Sequence, residues 1–111
     1  MKAGRLPGGD SFTAVFDEGK SIAGRFVVLY YRKTSLDFPR VGFAVGKRLG
    51  GAVQRHRIRR RLREAFRLAA GSLKQYDLVL VARSAARGAD FRKIKNEIKD
   101  LLQTVGLYQK E

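Results

Sequence analysis

Val53-Gln54-Arg55-His56-Arg57-Ile58-Arg59-Arg60-Arg61-Leu62-Arg63-Glu64-Ala65-Phe66-Arg67-Leu68-Ala69-Ala70 is the stretch from which the rest of the chain can be read. Its apolar members Ile58, Leu62, Ala65, Phe66 and Ala69 recur at i, i+4, i+7, i+8 and i+11, which on a helix makes one stripe facing a core. Gly71 stops the pattern. With Ile58 at zero, His56, Arg60, Arg63 and Arg67 fall roughly 140° to 200° around the helix, opposite the stripe, and Arg59 and Arg61 lie on its flanks. Between Lys47 and Arg67 there are nine basic residues and one acid, Glu64. Like charges at i, i+3 and i+4 weaken an isolated helix, so a polyanion that offsets their repulsion is a more economical account than solvation alone. Arginine in most of these positions favours bidentate phosphate contacts and stacking on bases.

Upstream, Arg40-Val41-Gly42-Phe43-Ala44-Val45-Gly46 alternates, with Val41, Phe43 and Val45 on one strand face and Gly42, Ala44 and Gly46 on the other. The second face is nearly bare, so a helix or a ligand must approach the backbone there. Phe26-Val27-Val28-Leu29-Tyr30-Tyr31, following Arg25, reads as a strand buried on both faces, joined to the next by a hairpin connection over Lys33 to Pro39. Phe12, Val15 and Phe16 at i, i+3 and i+4, behind the capping residue Asp10 and before Gly19, predict a short first helix. Residues 1–9 are expected to be mobile, since Met1 to Leu6 carry no pattern and Pro7-Gly8-Gly9 is turn chemistry. Downstream, Asp77 to Arg83 has strand character. Phe91, Ile94, Ile98, Leu101, Leu102 and Val105 then describe an amphipathic helix capped by Asp90 and ended by Gly106. The order α-β-β-(β)-α-β-α predicts a single α/β domain over residues 1–111, a two-layer sandwich of helices on a small mixed sheet. The last strand is expected parallel to a neighbour through the basic helix.

The 111 residues carry 24 Lys plus Arg against 10 Asp plus Glu, a formal charge of +14 that calls for a polyanionic partner. At 44% hydrophobic with seven Phe and four Tyr the chain can build a core, which separates it from solvated basic tails. The absence of Cys removes disulfides, cysteine zinc sites and thiol nucleophiles. No apolar run is long enough to span a bilayer and no signal peptide is visible, so a cytosolic protein is expected. The glycines Gly42, Gly46, Gly50 and Gly51 are followed by no Gly-Lys-Ser/Thr, which argues against a nucleotide-binding loop. A membrane helix would need the apolar stripe that the sheet already claims. The one histidine, His56, lies between two arginines that disfavour its charged form, and the carboxylates show neither metal nor acid–base spacing. No catalytic residue and no metal ligand are therefore assigned to the polypeptide.

Val41 to Arg48, Gly50-Gly51-Ala52-Val53, Arg55-His56-Arg57-Ile58-Arg59-Arg60 and Arg63-Glu64-Ala65-Phe66-Arg67 together are similar to the signature of the bacterial ribonuclease P protein component. Phe12 to Phe16, Arg25 to Tyr30 and Tyr76 to Arg83 extend the resemblance over roughly residues 11–105. The chain departs from the family pattern at His56, where the Arg-Asn-Arg motif has asparagine, at Gly51 and Gly46, and in an N-terminus that is nearly neutral. A histidine ring nitrogen can still stand where the amide stood. The resemblance implies a left-handed β-α-β crossover through the basic helix, against the usual right-handed rule. It also implies a protein subunit that joins a catalytic RNA to remove the 5′ leader of precursor tRNA, with Mg²⁺ bound mainly by the RNA and no other protein partner required. Carried over, the basic helix and its preceding loop give an RNA-subunit surface of Lys47, Arg48, Arg55, His56, Arg57, Arg59, Arg60, Arg63 and Arg67. A cleft between the first helix and the sheet gives a leader site for which Phe12, Phe16 and Tyr30 are the candidates, core packing being the alternative for these rings. From the charge alone, a structural RNA-binding protein such as a small ribosomal protein stays open.

Overall fold

The computed structural model describes residues 3–110. In chain order the elements are β1 (Gly4–Arg5), α1 (Asp10–Glu18), β2 (Lys20–Ala23), β3 (Val27–Lys33), β4 (Arg40–Ala44), α2 (Ala52–Ala70), β5 (Tyr76–Ala82) and α3 (Phe91–Thr104). Short 3₁₀ turns at Lys47–Leu49 and Ser84–Ala86 follow β4 and β5. The strands form one mixed sheet in the order β1-β4-β5-β3-β2, in which β4 is parallel to both β1 and β5 while β3 is antiparallel to β5 and β2. The expected parallel pairing of the strands on either side of the basic helix is thus present, with Val41 beside Leu78 and Phe43 beside Leu80.

Strand alternation divides the apolar residues between two faces. Val27, Leu29, Val41, Leu78 and Leu80 pack against Ile58, Leu62, Ala65 and Phe66 of α2 and Ile94, Ile98, Leu101 and Leu102 of α3 in the main core. On the opposite face Leu6, Val15 and Val79 are buried together beneath α1, with Phe12, Tyr30, Ala44 and Val81 around them. The bare strand face receives a ring: a Cβ on Gly42 would collide with Phe12, so the glycine is what lets α1 lie against β4. Tyr108 closes the C-terminal end, its hydroxyl donating to the Ala69 carbonyl at 2.6 Å, and burial pushes its phenol pKa up.

Three local expectations change. The described part of the segment expected to be mobile is tied down instead: Gly4 and Arg5 pair with Arg40 and Val41, and Leu6 is only 2% exposed. A two-residue strand has no period to read, which is why the sequence shows no sign of it. Residues 1 and 2 lie outside the described residues. The cap of α1 is Gly9 and not Asp10, which occupies the first turn, where its negative charge meets the positive end of the helix. The long strand starts at Val27 and not at Phe26, because the N–H groups of Arg25, Phe26 and Val27 all donate to the Glu97 carboxylate of α3, at 2.6, 2.8 and 3.0 Å. Gly24 leaves room for that carboxylate. Glu97→Ala strips three donors of a charged acceptor and should cost about 2 kcal/mol, read from the urea midpoint. A loss under about 0.5 kcal/mol would mean that water replaces the carboxylate freely.

Candidate nucleic-acid interface

Helix α2 begins after Gly51, and its apolar stripe buries Ile58, Leu62, Ala65, Phe66 and Ala70, with Ala69 half-buried. That fixes the rotation of the helix. His56, Arg57, Arg60, Arg63 and Arg67 are exposed, while Arg55, Arg59 and Arg61 are half-buried along the flanks. Individual contacts then sort the arginines. Arg61 Nη2 donates to the Ala89 carbonyl at 2.6 Å and so ties α2 to the loop before α3. The Arg63 guanidinium lies 5.8 Å from the centroid of the Phe43 ring, which orients it without using its N–H groups. Arg67 holds Glu64 with two bonds of 3.0 and 2.6 Å, and hydrogen bonding lowers the Glu64 carboxyl pKa and raises that of Arg67. Both partners are exposed, so the pair contributes little to stability and a phosphate can displace the carboxylate. Arg55 Nε is buried with no hydrogen-bond partner, a donor unsatisfied on the flank of the basic face.

Lys47 and Arg48 are exposed on the 3₁₀ turn after β4, and Arg48 lines a cavity at the carboxyl ends of β4 and β5 together with Arg25 and Arg83. Those last two were not expected from the sequence. Their only signal there is a basic residue beside the end of an apolar run.

Across the sheet, the three aromatic candidates come together. Phe12 and Phe16 are 6.4 Å apart at 78°, and Phe16 meets Tyr30 edge-on at 4.9 Å and 82°. They differ in exposure: Phe12 sits against Gly42, whereas Phe16 remains 39% exposed. Tyr30 is half-buried, and its hydroxyl makes no hydrogen bond among the described residues. Among the described residues no three His, Asp or Glu side chains are grouped to hold a metal ion, and no helix is long and apolar enough to cross a membrane.

A family model described as Ribonuclease P matches residues 1–106. The chain belongs to the ribonuclease P protein family. The ribonuclease P protein component of Caldanaerobacter subterraneus subsp. tengcongensis is 40% identical over 111 residues, covering 99% of this chain and 96% of that protein. That of Thermoanaerobacter pseudethanolicus is 43% identical over 98 residues, or 87% and 84% of the two chains. The solved ribonuclease P protein of Staphylococcus aureus superposes with a TM-score of 0.84 at 29% identity, covering 97% of this chain and all of that one. For the Thermotoga maritima ribonuclease P protein the TM-score is 0.78 at 29% identity, with 94% and 97% covered. As a ribonuclease P protein, the chain is an RNA-binding part of the ribonucleoprotein endonuclease of tRNA processing and works with the ribonuclease P RNA.

If the basic face of α2 is the surface that meets the RNA, affinity must depend on salt. With about five phosphates neutralised, log K should fall against log salt with a slope of order −4, and Arg60→Ala or Arg63→Ala should each flatten it by about one unit. Arg61→Ala should leave the slope in place and instead lower folding stability by about 1–2 kcal/mol, because its guanidinium serves the Ala89 carbonyl. An affinity indifferent to salt would remove α2 from the interface.

Proposed function

We propose that this chain acts in the cytoplasm as a two-sided adaptor. The basic face of α2 grips the RNA subunit, and the Phe12, Phe16 and Tyr30 cluster holds the single-stranded 5′ leader of precursor tRNA. The observation that carries the reading is the placement of these two surfaces on opposite faces of one sheet, so that both RNAs can be bound at once. Substrate and catalyst are both polyanions. A chain of charge +14 between them lowers their mutual repulsion, a task that free cations otherwise perform. The basic side chains of α2 position the domain through phosphates, the rings accept any base, and His56 offers a ring nitrogen to the RNA. Bond cleavage belongs to the RNA in this reading, and Mg²⁺ held mainly by its phosphates supplies the Lewis acidity for hydrolysis.

The test is reconstitution at low Mg²⁺. Purified chain added to the RNA subunit should restore 5′ cleavage of precursor tRNA where the RNA alone is nearly inactive, and a small ribosomal protein of similar charge should not. Equal rescue by both would reduce the chain to a generic polycation.

A further inference from the structure

Where α2 runs past the start of α3, Arg57, Arg60, Arg61, Arg63 and Glu64 line a pocket of about 590 Å³ whose α3 side is Phe91, the first residue of that helix. Pockets that take small ligands run to roughly 300–1,000 Å³, so a nucleobase has room there. The charge of the lining is unbalanced. Glu64 has both carboxylate oxygens on Arg67, and among the described residues the remaining ion pairs engage Arg32 and Arg40. Arg57, Arg60, Arg61 and Arg63 therefore have no carboxylate partner.

Phe91 is fixed by the backbone just before it and just after it. The Ala89 carbonyl accepts from Arg61 Nη2 at 2.6 Å, and the Asp90 carboxylate caps α3 by accepting the Arg92 N–H at 2.8 Å. The ring packs on the main core yet stays only half-buried. Among the described residues no second aromatic ring packs on it and no guanidinium stands over it, unlike Phe43, which has Arg63, and Phe26, which has Arg25. A fixed ring with an uncovered face and a rim of guanidiniums suits both parts of a nucleotide, since the base can stack while the phosphates meet the cations. An acidic peptide would use the guanidiniums and leave the ring wet.

Cations continue on the far side of the ring. Lys95 and Lys99 follow Phe91 at i+4 and i+8 and so share its side of α3, whereas Asp100, at i+9, falls on the opposite side. Lys95 is half-buried and Lys99 exposed, and neither has a carboxylate partner among the described residues. We propose that an unpaired nucleotide of the RNA subunit stacks its base on Phe91, with the phosphates to one side on Arg57 and Arg60 and those to the other on Lys95. Arg61, already anchored to Ala89, keeps N–H groups for the edge of the base, and such a contact neutralises no phosphate. This rests on the reading that α2 meets the RNA subunit, and it carries that footprint across the groove onto α3.

Affinity of the full chain for the RNA subunit, measured against salt, tests this together with 2′-hydroxyl acylation of the RNA in the complex. Phe91→Leu keeps an apolar side chain on the core and removes the stacking face. It should weaken binding about tenfold at an unchanged salt slope, and one nucleotide protected by the native chain should become reactive. Phe91→Tyr should restore both affinity and protection. Lys95→Ala, which leaves the ring in place, should flatten the slope by about one unit. If Phe91→Leu binds and protects as the native chain does, if Phe91→Tyr loses as much, or if the loss comes with a flatter slope, the base site is overturned. A neutral Lys95→Ala overturns the extension onto α3. In each of these cases a slope that Arg60→Ala still flattens keeps α2 at the interface, and a slope indifferent to Arg60→Ala removes the reading on which the proposal rests.

Discussion

Arg40→Ala should lower folding stability by about 3–5 kcal/mol, a large share of the roughly 5–15 kcal/mol of an ordinary domain. Asp77 is 3% exposed at the start of β5, and Arg40, its register partner on β4, donates from Nε and Nη2 to its two carboxylate oxygens at 2.9 and 2.7 Å. Hydrogen bonding to Asp77 raises the Arg40 pKa, so the cation persists at any pH at which the domain is studied. Arg32 stands opposite Asp77 on β3, yet its guanidinium reaches Glu18 at 3.3 Å, and among the described residues no second cation pairs with Asp77. Removing Arg40 therefore strands a buried charge. The pair itself need not be strongly stabilising, since its desolvation offsets most of its attraction, and the double variant Arg40→Met with Asp77→Leu should recover most of the loss. Arg40→Lys should fall between, keeping the charge and losing the two-pronged geometry. Urea unfolding at constant m decides the matter. A single-variant loss under about 1 kcal/mol would show that water reaches the Asp77 carboxylate.

That pair also marks where reading the sequence stops. Asp77 and Arg40 sit at the ends of two apolar runs and look like ordinary strand termini. Only the parallel register of β4 on β5 places them side by side, and register is a long-range property. What the sequence does carry is local period. The stripe of α2 and that of α3 are visible because a helix repeats every 3.6 residues over many turns. The nearly bare face of Arg40 to Gly46 correctly demands a close neighbour, and Phe12 against Gly42 supplies it. Elements of two to four residues, β1 and β2, offer no such repeat. The displaced start of β3 has the same origin, because Glu97 is some seventy residues away in the chain from the N–H groups it accepts.

The candidate surfaces divide along the same line. Charge density on one helix is a local property, so the basic face of α2 is legible, and so is the withdrawal of Arg61 to a flank. The grouping of Arg48 with Arg25 and Arg83 is not, since those three come from connections that meet only when the sheet is assembled. The engagement of Arg67 with Glu64 lies between: the i, i+3 spacing permits it, and only the geometry shows both carboxylate oxygens in use. The aromatic cluster was legible as a spacing of four on α1 plus one strand residue.

Exposure separates the roles of those rings and sets the last expected result. Phe12 against Gly42 is packed, so Phe12→Ala should act mainly on stability, by the cavity it leaves. Phe16 is 39% exposed and edge-on to Tyr30, an arrangement that presents aromatic surface to solvent at small packing gain. Stacking a base on such a ring is worth about 1–3 kcal/mol and tolerates any sequence, as a site for varied leaders requires. Phe16→Ala should accordingly weaken binding of leader-bearing precursor tRNA by roughly 5-fold to 150-fold, with affinity for mature tRNA and for the RNA subunit unchanged. Adding Tyr30→Ala should deepen the loss by less than its own single effect, because two rings in contact share one platform and their contributions couple. Phe16→Tyr should bind nearly as the native chain does, since the stacking face is retained. If the alanine variants weaken precursor and mature tRNA alike, the rings belong to the packing of α1 on the sheet, and the leader must be held elsewhere on the basic surface.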